Sequence, residues 1–201
     1  MEFVENDTLR KQIDFIVEID KLKRVYRRSR VISDPDRREN DAEHAWHLTA
    51  MALVLHRYAE GNPDLLRTLK MLIIHDLVEI DAGDTFAYDE AAHSDKRQRE
   101  ERAAERLFGL LPEEQADEMY RLWLEFEEGG TPEAKFAAAL DRLQPILTNY
   151  LTEGVTWQEH GVTSGQVFER NRIIEKSSPA LWEFAKRLIE DAVAKGYLKP
   201  S

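Results

Sequence analysis

Cysteine is absent from the 201-residue chain. A chain without cysteine forms no disulfide, offers no thiol nucleophile and cannot build a cysteine zinc site. It does contain 6 histidines and 39 acidic residues. Any metal that the protein binds must therefore be held by histidine nitrogens and carboxylate oxygens.

Long apolar runs are also missing. A helix needs about 20 apolar residues to cross a bilayer, and no segment of the sequence approaches that length. Residues 1–7 are acidic and lack the pattern of a signal peptide. With 42% hydrophobic and 33% charged residues, the composition is typical of a globular protein rather than a disordered one. We expect one domain over residues 1–201, without a membrane segment and located in the cytoplasm.

Basic residues are in the minority, with 28 Lys and Arg against 39 Asp and Glu and a net charge of −11. Nucleic-acid binding needs a broad basic face, so we expect no nucleic-acid partner. One basic cluster, residues 21–30, precedes a turn at residues 33–36. It could be a solvated helix face, or its arginines could hold a phosphate through bidentate contacts. We predict substrate contacts by Arg27 and Arg30, with Arg30 the stronger candidate.

Apolar residues recur at helical spacing along the chain, and neither alternating strand patterns nor hairpin signals are found. The sequence therefore predicts an all-α bundle of about eight helices. The third helix, which carries His75, is predicted to run unbroken to Gly83. The gaps near residues 83–93 and 151–162 are candidate active-site loops. Capping signals predict the helix starts, which are Asn6 or Asp7, Asn40 with Glu43, Asn62-Pro63, Ser94, Pro112, Thr131-Pro132, Thr163 with Gln166, and Ser178-Pro179.

Two good metal ligands, His75 and Asp76, are adjacent in the apolar segment 72–79. On a helix they and Glu79 project toward the apolar side, where an unpaired charge is costly. A divalent metal would resolve this conflict, and so would a buried hydrogen bond between His75 and Asp76. The dipeptide alone does not decide between these alternatives.

Two further candidate ligands lie far away in the sequence. His44 shares a helical stripe with Leu48 and other apolar residues, so it points inward, although a single inward histidine is often a satisfied core residue. Asp141 flanks an apolar stripe beside small alanines, which allow another helix to approach closely. Pro145 cannot donate to the Asp141 carbonyl, so a kink is expected there.

The ordered set His44, His75-Asp76 and Asp141 resembles the H…HD…D pattern of the HD superfamily of metal-dependent phosphohydrolases. The resemblance also covers residues 22–25, 75–79 with Gly83-Asp84, and 134–141, and it is to the HD-domain 5′-deoxynucleotidases of bacteria and eukaryotes. We place the metal-binding core at about residues 9–150, with C-terminal helices at about 163–196 packed on it.

The resemblance implies a divalent metal (Mn, Co, Fe, Zn, Ni or Mg) and a homodimer. It implies that Glu79 orients the attacking water and that Asp84 protonates the leaving 5′ oxygen or contacts the sugar. In eukaryotic relatives the positions of Glu79 and Asp84, with the backbone of the position of Thr85, are linked to a second, weaker metal. Simpler alternatives are a Glu79 ion pair with Arg142 and a turn capped by Asp84. The implied ligands of the first metal are His44, His75, Asp76 and Asp141.

One position departs from the family. Fourteen residues before His44, the characterised enzymes have a tryptophan near the sugar, whereas this chain has Arg30. The choice between deoxyribose and ribose therefore stays open. Trp157 and His160, in the C-terminal part, are interpreted as packing and surface groups.

The predicted function is hydrolysis of (deoxy)nucleoside 5′-monophosphates to nucleoside and phosphate. One alternative is another HD-type enzyme, such as a nucleotide phosphodiesterase, a triphosphate hydrolase or a di-iron oxygenase. Dinuclear members add histidines between the HD pair and the last aspartate, and only His93 lies there. The other alternative is a non-catalytic helical dimer with a structural metal, against which the presence of Glu79 and Asp84 argues.

Overall fold

The computed structural model describes residues 6–88 and 95–201. Within these residues the fold is helical apart from one small hairpin, which confirms the all-α class. Short 3₁₀ segments follow the first two helices, at Asp20–Arg24 and His56–Tyr58. The helices are α1 (Asp7–Ile19), α2 (Asp41–Leu55), α3 (Leu65–Ile74), α4 (Glu79–Ala82), α5 (Lys96–Phe108), α6 (Glu113–Glu128), α7 (Pro132–Leu151), α8 (Val155–Glu159), α9 (Ser164–Asn171), α10 (Ile173–Ser177) and α11 (Pro179–Ala194).

Most helix starts lie at the predicted caps, because a capping side chain acts on backbone amides two or three residues away. Asn40 and Glu43 form a complete capping box at the start of α2, and Thr163 and Gln166 form another at α9. The predicted start at Asn62-Pro63 is wrong, since Asp64 caps α3 by accepting from the Arg67 amide at 2.9 Å. The predicted start at Ser94 lies outside the described residues.

The hairpin was not predicted. Strands β1 (Tyr26–Val31) and β2 (Asp34–Asn40) pair antiparallel, with two register shifts along their length. Most of β2 is exposed, so its residues carry no alternating apolar pattern that would have indicated a strand. The hairpin ends directly at α2, where the Asp41 amide donates to the Val25 carbonyl at 3.1 Å.

The helix that carries His75 is interrupted, which corrects the prediction of an unbroken helix to Gly83. Helix α3 ends at Ile74, and His75 is its C-cap. The next turn is tighter, since the Leu77 and Glu79 amides donate to carbonyls three residues back, each at 3.0 Å. This turn changes the directions of His75, Asp76 and Glu79 relative to those on a regular helix. Gly83, with φ of 75°, ends α4 as predicted.

Helix α7 occupies the centre of the fold. It contacts α2, α3, α6, α10 and α11, and it continues as one helix through Pro145. Its apolar face is fully buried at Phe136, Ala137 and Leu140. Asp141 is therefore carried by the most enclosed helix of the protein. In residues 6–88 and 95–201, no helix combines the length and the apolar character that a membrane crossing requires.

Candidate metal centre

The four predicted ligands come together in one small volume. His44 comes from α2, His75 and Asp76 from the turn after α3, and Asp141 from α7. His44 Nε2 lies 3.0 Å from Asp141 Oδ1, and His75 Nε2 lies 3.2 Å from Asp76 Oδ2. The other distances, His44 Nε2 to Asp76 Oδ2 and His75 Nε2 to Asp141 Oδ1, are 4.0 and 3.9 Å. The structure thus joins three separate sequence segments into one donor set.

The donor atoms fit a divalent metal. The Nδ1 of His75 donates to the Leu72 carbonyl at 3.0 Å, which leaves the lone pair on the buried Nε2. That nitrogen has no hydrogen-bond partner among the described residues. Ligand atoms at roughly 2.0–2.2 Å from a metal lie about 3 Å apart when adjacent and about 4 Å apart when opposite. The measured distances match this spacing, so the four residues could hold one ion.

His44 is oriented by a residue that sequence reasoning missed. Its Nδ1 lies 3.6 Å from Oε2 of Glu39, a buried residue of β2 whose Oε1 accepts from Gln144 Nε2 at 2.8 Å. Burial and Arg27 disfavour the charged imidazole, yet the hydrogen bond to Asp141 and the nearby carboxylates of Glu39 and Asp76 outweigh them and raise the pKa of His44 to about 9. Glu39 lies in a charged, exposed-looking segment, so the sequence carried no signal for it.

Arg27 lies among the carboxylates of the centre. Its Nη1 donates to Asp76 Oδ2 at 2.8 Å and to Asp41 Oδ1 at 3.3 Å, while Nη2 is 4.0 Å from Asp141 Oδ1. Asp41 is fully buried, and burial together with the charge of Asp76 raises its pKa to about 7. Sequence reasoning missed Asp41, because an acid in the first turn of a helix is ordinarily explained by the helix dipole.

A second group of candidate ligand atoms lies beside the first and consists of Asp41, Asp76 and Glu79, whose atoms are within 4.8 Å of one another. The predicted second group was Glu79, Asp84 and the backbone of Thr85, and it stays a prediction. Asp41 was not part of it, and the Thr85 hydroxyl accepts from Arg99 at 3.4 Å. Burial, with the charges of Asp76 and Asp41, raises the pKa of Glu79, and burial raises the pKa of Asp84. Both carboxyls therefore bind a proton more readily than a carboxyl in water does.

A cavity of about 360 Å³ opens on this centre. Both predicted loops contribute to it, the first through residues 84–88 and the second through Thr156 and Trp157. Trp157 is buried, whereas His160 is exposed and contacts Phe86 with ring centroids 4.4 Å apart. The basic residues among those that line the cavity are Arg27, Arg28, Lys96, Arg142 and Arg170.

Arg30, the stronger sequence candidate for substrate contact, is not among the described residues that line the cavity. Its Nη2 lies 2.6 Å from Glu159 Oε1, and its Nη1 donates to the Asp36 carbonyl at 3.3 Å. Strand β1 has a register shift between Tyr26 and Arg30, so its side chains do not follow the alternation of a regular strand. Arg27 and Arg28 both line the cavity, whereas Arg30 does not.

Comparison with known proteins shows which family the chain resembles. The sequence profile described as HD domain matches residues 19–182. A 5′-deoxynucleotidase HDDC2 of Bos taurus is 34% identical over 138 residues, which span 69% of this chain and 66% of that protein, slightly under two thirds of its length. The 5′-deoxynucleotidase hdd1 of Schizosaccharomyces pombe is 24% identical over 191 residues, 92% of this chain and 86% of that protein.

A solved structure gives the same result over nearly the whole chain. The crystal structure of a predicted metal-dependent phosphohydrolase from Magnetospirillum magnetotacticum MS-1 is 50% identical, with a TM-score of 0.92, covering 96% of this chain and 97% of that one. The resemblance seen in the motifs is thus confirmed by a profile match, by sequence relatives and by a common fold. The chain belongs to the HD domain family.

Proposed function

We propose that the protein is a metal-dependent phosphohydrolase that converts nucleoside 5′-monophosphates to nucleoside and phosphate. The observation that carries this proposal is the convergence of His44, His75, Asp76 and Asp141, the last three of which line a cavity that is also lined by five basic side chains of the described residues. The sequence relatives named 5′-deoxynucleotidase support the same substrate class.

The metal would be held by His44, His75, Asp76 and Asp141. Two imidazoles and two carboxylates form a donor set of borderline hardness, which suits Mn, Fe, Co, Ni or Zn better than Mg. When bound, such an ion would act as a Lewis acid. It would polarise the phosphoryl group and lower the pKa of a water molecule, which could then attack phosphorus as hydroxide.

Glu79 and Asp84 divide the proton transfers. Glu79 is buried next to the ligand Asp76 and Asp41, so it can accept a proton from the attacking water. The water oxygen forms a bond to phosphorus as the bond from phosphorus to the 5′ oxygen breaks. Asp84, whose pKa is raised by burial, lines the cavity and gives its proton to the leaving 5′ oxygen.

Of the three hairpin arginines, we assign the contact with the substrate phosphate to Arg28. The guanidinium of Arg27 is already occupied by Asp76 and Asp41, and that of Arg30 by Glu159. Arg28 is exposed at the cavity and has no ion pair with any residue in the described ranges. A charge-assisted contact to phosphate is worth about 1.5–3 kcal/mol, or roughly 10- to 150-fold in binding.

A phosphate-release screen tests the proposal. The protein is stripped of metal, reloaded with each of the candidate ions, and given dAMP, AMP, dATP and bis(p-nitrophenyl) phosphate. We expect metal-dependent release from the monophosphates, and Arg28→Ala should lower kcat/KM about 10-fold or more while Arg30→Ala changes it little. A preference for the triphosphate or the diester would favour the other HD chemistries. Stoichiometric metal without release from any substrate would favour the structural-metal dimer.

A second copy of the chain is proposed to cover an apolar face on α2 and α3. Trp46, Leu53 and Val54 on α2 are 69%, 59% and 73% exposed, and Leu66 and Ile73 on α3 are 65% and 50% exposed. Monomeric proteins rarely leave such side chains clustered in water, and the family resemblance implies a homodimer. Light scattering should report twice the chain mass for the native protein and the single mass for Val54→Asp, and a monomeric native protein would contradict this proposal.

A further inference from the structure

Two arginines that line the cavity come from helices rather than from the hairpin. Arg142, on α7, directly follows the candidate ligand Asp141, and Arg170 lies near the end of α9. Both line the cavity and both are half-buried. Neither was singled out as a substrate contact by the sequence, because they lie 28 residues apart in segments without a phosphate-binding motif.

Arg170 has no carboxylate within ion-pair distance among residues 6–88 and 95–201. Its guanidinium carbon lies 5.8 Å from the centroid of the Tyr88 ring, so Arg170 makes a cation–π interaction with Tyr88. Burial and the charge of Arg142 lower the pKa of Arg170 to about 10. A half-buried cation beside a second cation is costly, and an anion between them would remove that cost.

The position of Arg142 ties this pair to the metal centre. Oδ1 of Asp141 faces His44 Nε2 at 3.0 Å, and Oδ2 of the same carboxylate lies 3.7 Å from Arg142 Nη1. The carboxylate of Asp141 therefore lies between the candidate ligand His44 and the guanidinium of Arg142. A phosphoryl group is tetrahedral and of similar width, so one of its oxygens can face the donor set while others reach a guanidinium.

We propose that Arg142 and Arg170 form an arginine clamp that binds the non-bridging oxygens of the substrate phosphoryl group. This inference rests on the proposed function and adds its phosphate-binding residues. Two guanidiniums match the two negative charges of a phosphate monoester, whereas a diester carries only one. The clamp thereby makes the site selective for monoesters and gives the C-terminal helix α9 a direct part in substrate binding.

Inorganic phosphate is the probe that tests the clamp without relying on turnover. Its affinity is measured by calorimetry on the metal-loaded protein, for the native chain, Arg170→Gln, Arg142→Gln and the control Arg172→Gln. Arg172 is a matched control because it lies two residues from Arg170, also loses one charge, and has a 77% exposed side chain paired with Glu175. Metal content is determined for every variant.

We expect Arg170→Gln and Arg142→Gln each to weaken phosphate binding about 10- to 150-fold, with metal content unchanged and Arg172→Gln like the native protein. The ratio of kcat/KM on p-nitrophenyl phosphate to that on its diester should fall by a similar factor. Arg170→Lys, which keeps the charge and loses the planar fork, should give an intermediate affinity.

The clamp is refuted if Arg170→Gln binds phosphate as tightly as the native protein. If Arg170→Gln does not fold, native affinity in Arg170→Lys and Arg142→Gln refutes it equally. If the native protein hydrolyses mononucleotides and Arg170→Gln does not change phosphate affinity, the proposed function stands and the clamp is rejected. Conversely, Arg170-dependent phosphate binding in a protein that hydrolyses no mononucleotide would retain the clamp and overturn the proposed function.

Discussion

Replacing Arg27 by methionine tests whether the metal centre depends on an internal cation. The side chain is only 15% exposed, and its guanidinium lies 2.8, 3.3 and 4.0 Å from oxygens of Asp76, Asp41 and Asp141. One unit-charge pair at about 4 Å is worth roughly 4 kcal/mol at an effective dielectric constant of 20. The free energy lost when the guanidinium is removed from water offsets much of the attraction summed over the three carboxylates. Methionine fills the space but leaves the buried carboxylates without a counter-charge.

Removal of one partner from a buried ion pair costs about 3–5 kcal/mol. For a protein of this size, about 1 kcal/mol moves Tm by roughly 2–4 °C, so Arg27→Met should melt about 6–20 °C below the native protein when both are free of metal. The double variant Arg27→Met/Asp41→Asn removes one of the stranded charges and should recover about 0.5–3 kcal/mol. Saturating metal should reduce the deficit, because the ion neutralises some of the same carboxylates.

Urea unfolding in the presence of a chelator measures these differences. Arg10→Met is the control, since Arg10 is exposed and pairs with Asp7 on the surface of α1, so it should change stability by less than about 0.5 kcal/mol. If Arg27→Met unfolds within about 1 kcal/mol of the native protein, or if Asp41→Asn brings no recovery, the carboxylates are not held together by Arg27 and the reasoning fails.

Three further outcomes are expected. Glu79→Gln should retain metal and fold but lose about 10²–10⁴-fold in kcat, and near-native turnover would assign the water-orienting role elsewhere. Glu39→Gln should weaken metal affinity about 10- to 100-fold, as measured by competition with a chelator, because Glu39 faces the His44 ring; an unchanged affinity would limit Glu39 to packing. Metal affinity should rise with pH, by up to about 10-fold per unit below about pH 9, since His44, with its pKa of about 9, must lose a proton to bind. The stability of the metal-free protein should show the opposite trend, because the contribution of the raised pKa is complete below 6.5, the usual pKa of histidine, and is lost as pH rises through about 9. Calorimetric titrations without a pH trend would contradict this assignment.

Local signals in the sequence were sufficient for most of the fold. Caps such as Asn40 with Glu43 and Thr163 with Gln166 act within one turn, so a few neighbouring residues determine them. The family pattern found the four donor residues because each keeps its order along the chain. The break at His75 was missed because three-residue hydrogen bonding in one turn changes no residue type.

The remaining site residues depend on contacts that no local pattern records. Glu39 and Arg27 reach the centre from a hairpin whose register shifts remove the alternation expected of a strand. Asp41 becomes a partner of Glu79 only when the turn after α3 meets α2. Arg142 and Arg170 line the same cavity because α9 packs on α7. Sequence alone therefore identified the candidate metal donors, whereas the residues around them depend on the tertiary structure.

The hairpin has a consequence for how metal loading can be observed. An isolated two-stranded ribbon is marginal in water, and here each strand places one charged side chain into the centre, Arg27 from β1 and Glu39 from β2. A bound cation would repel the Arg27 guanidinium and attract the Glu39 carboxylate. The stability of the hairpin, and with it the exchange rate of its backbone amides, should therefore depend on whether metal is bound. The ribbon amides should act as an internal reporter, with their exchange rates following metal occupancy, while those of the buried helix α7 stay slow in both states.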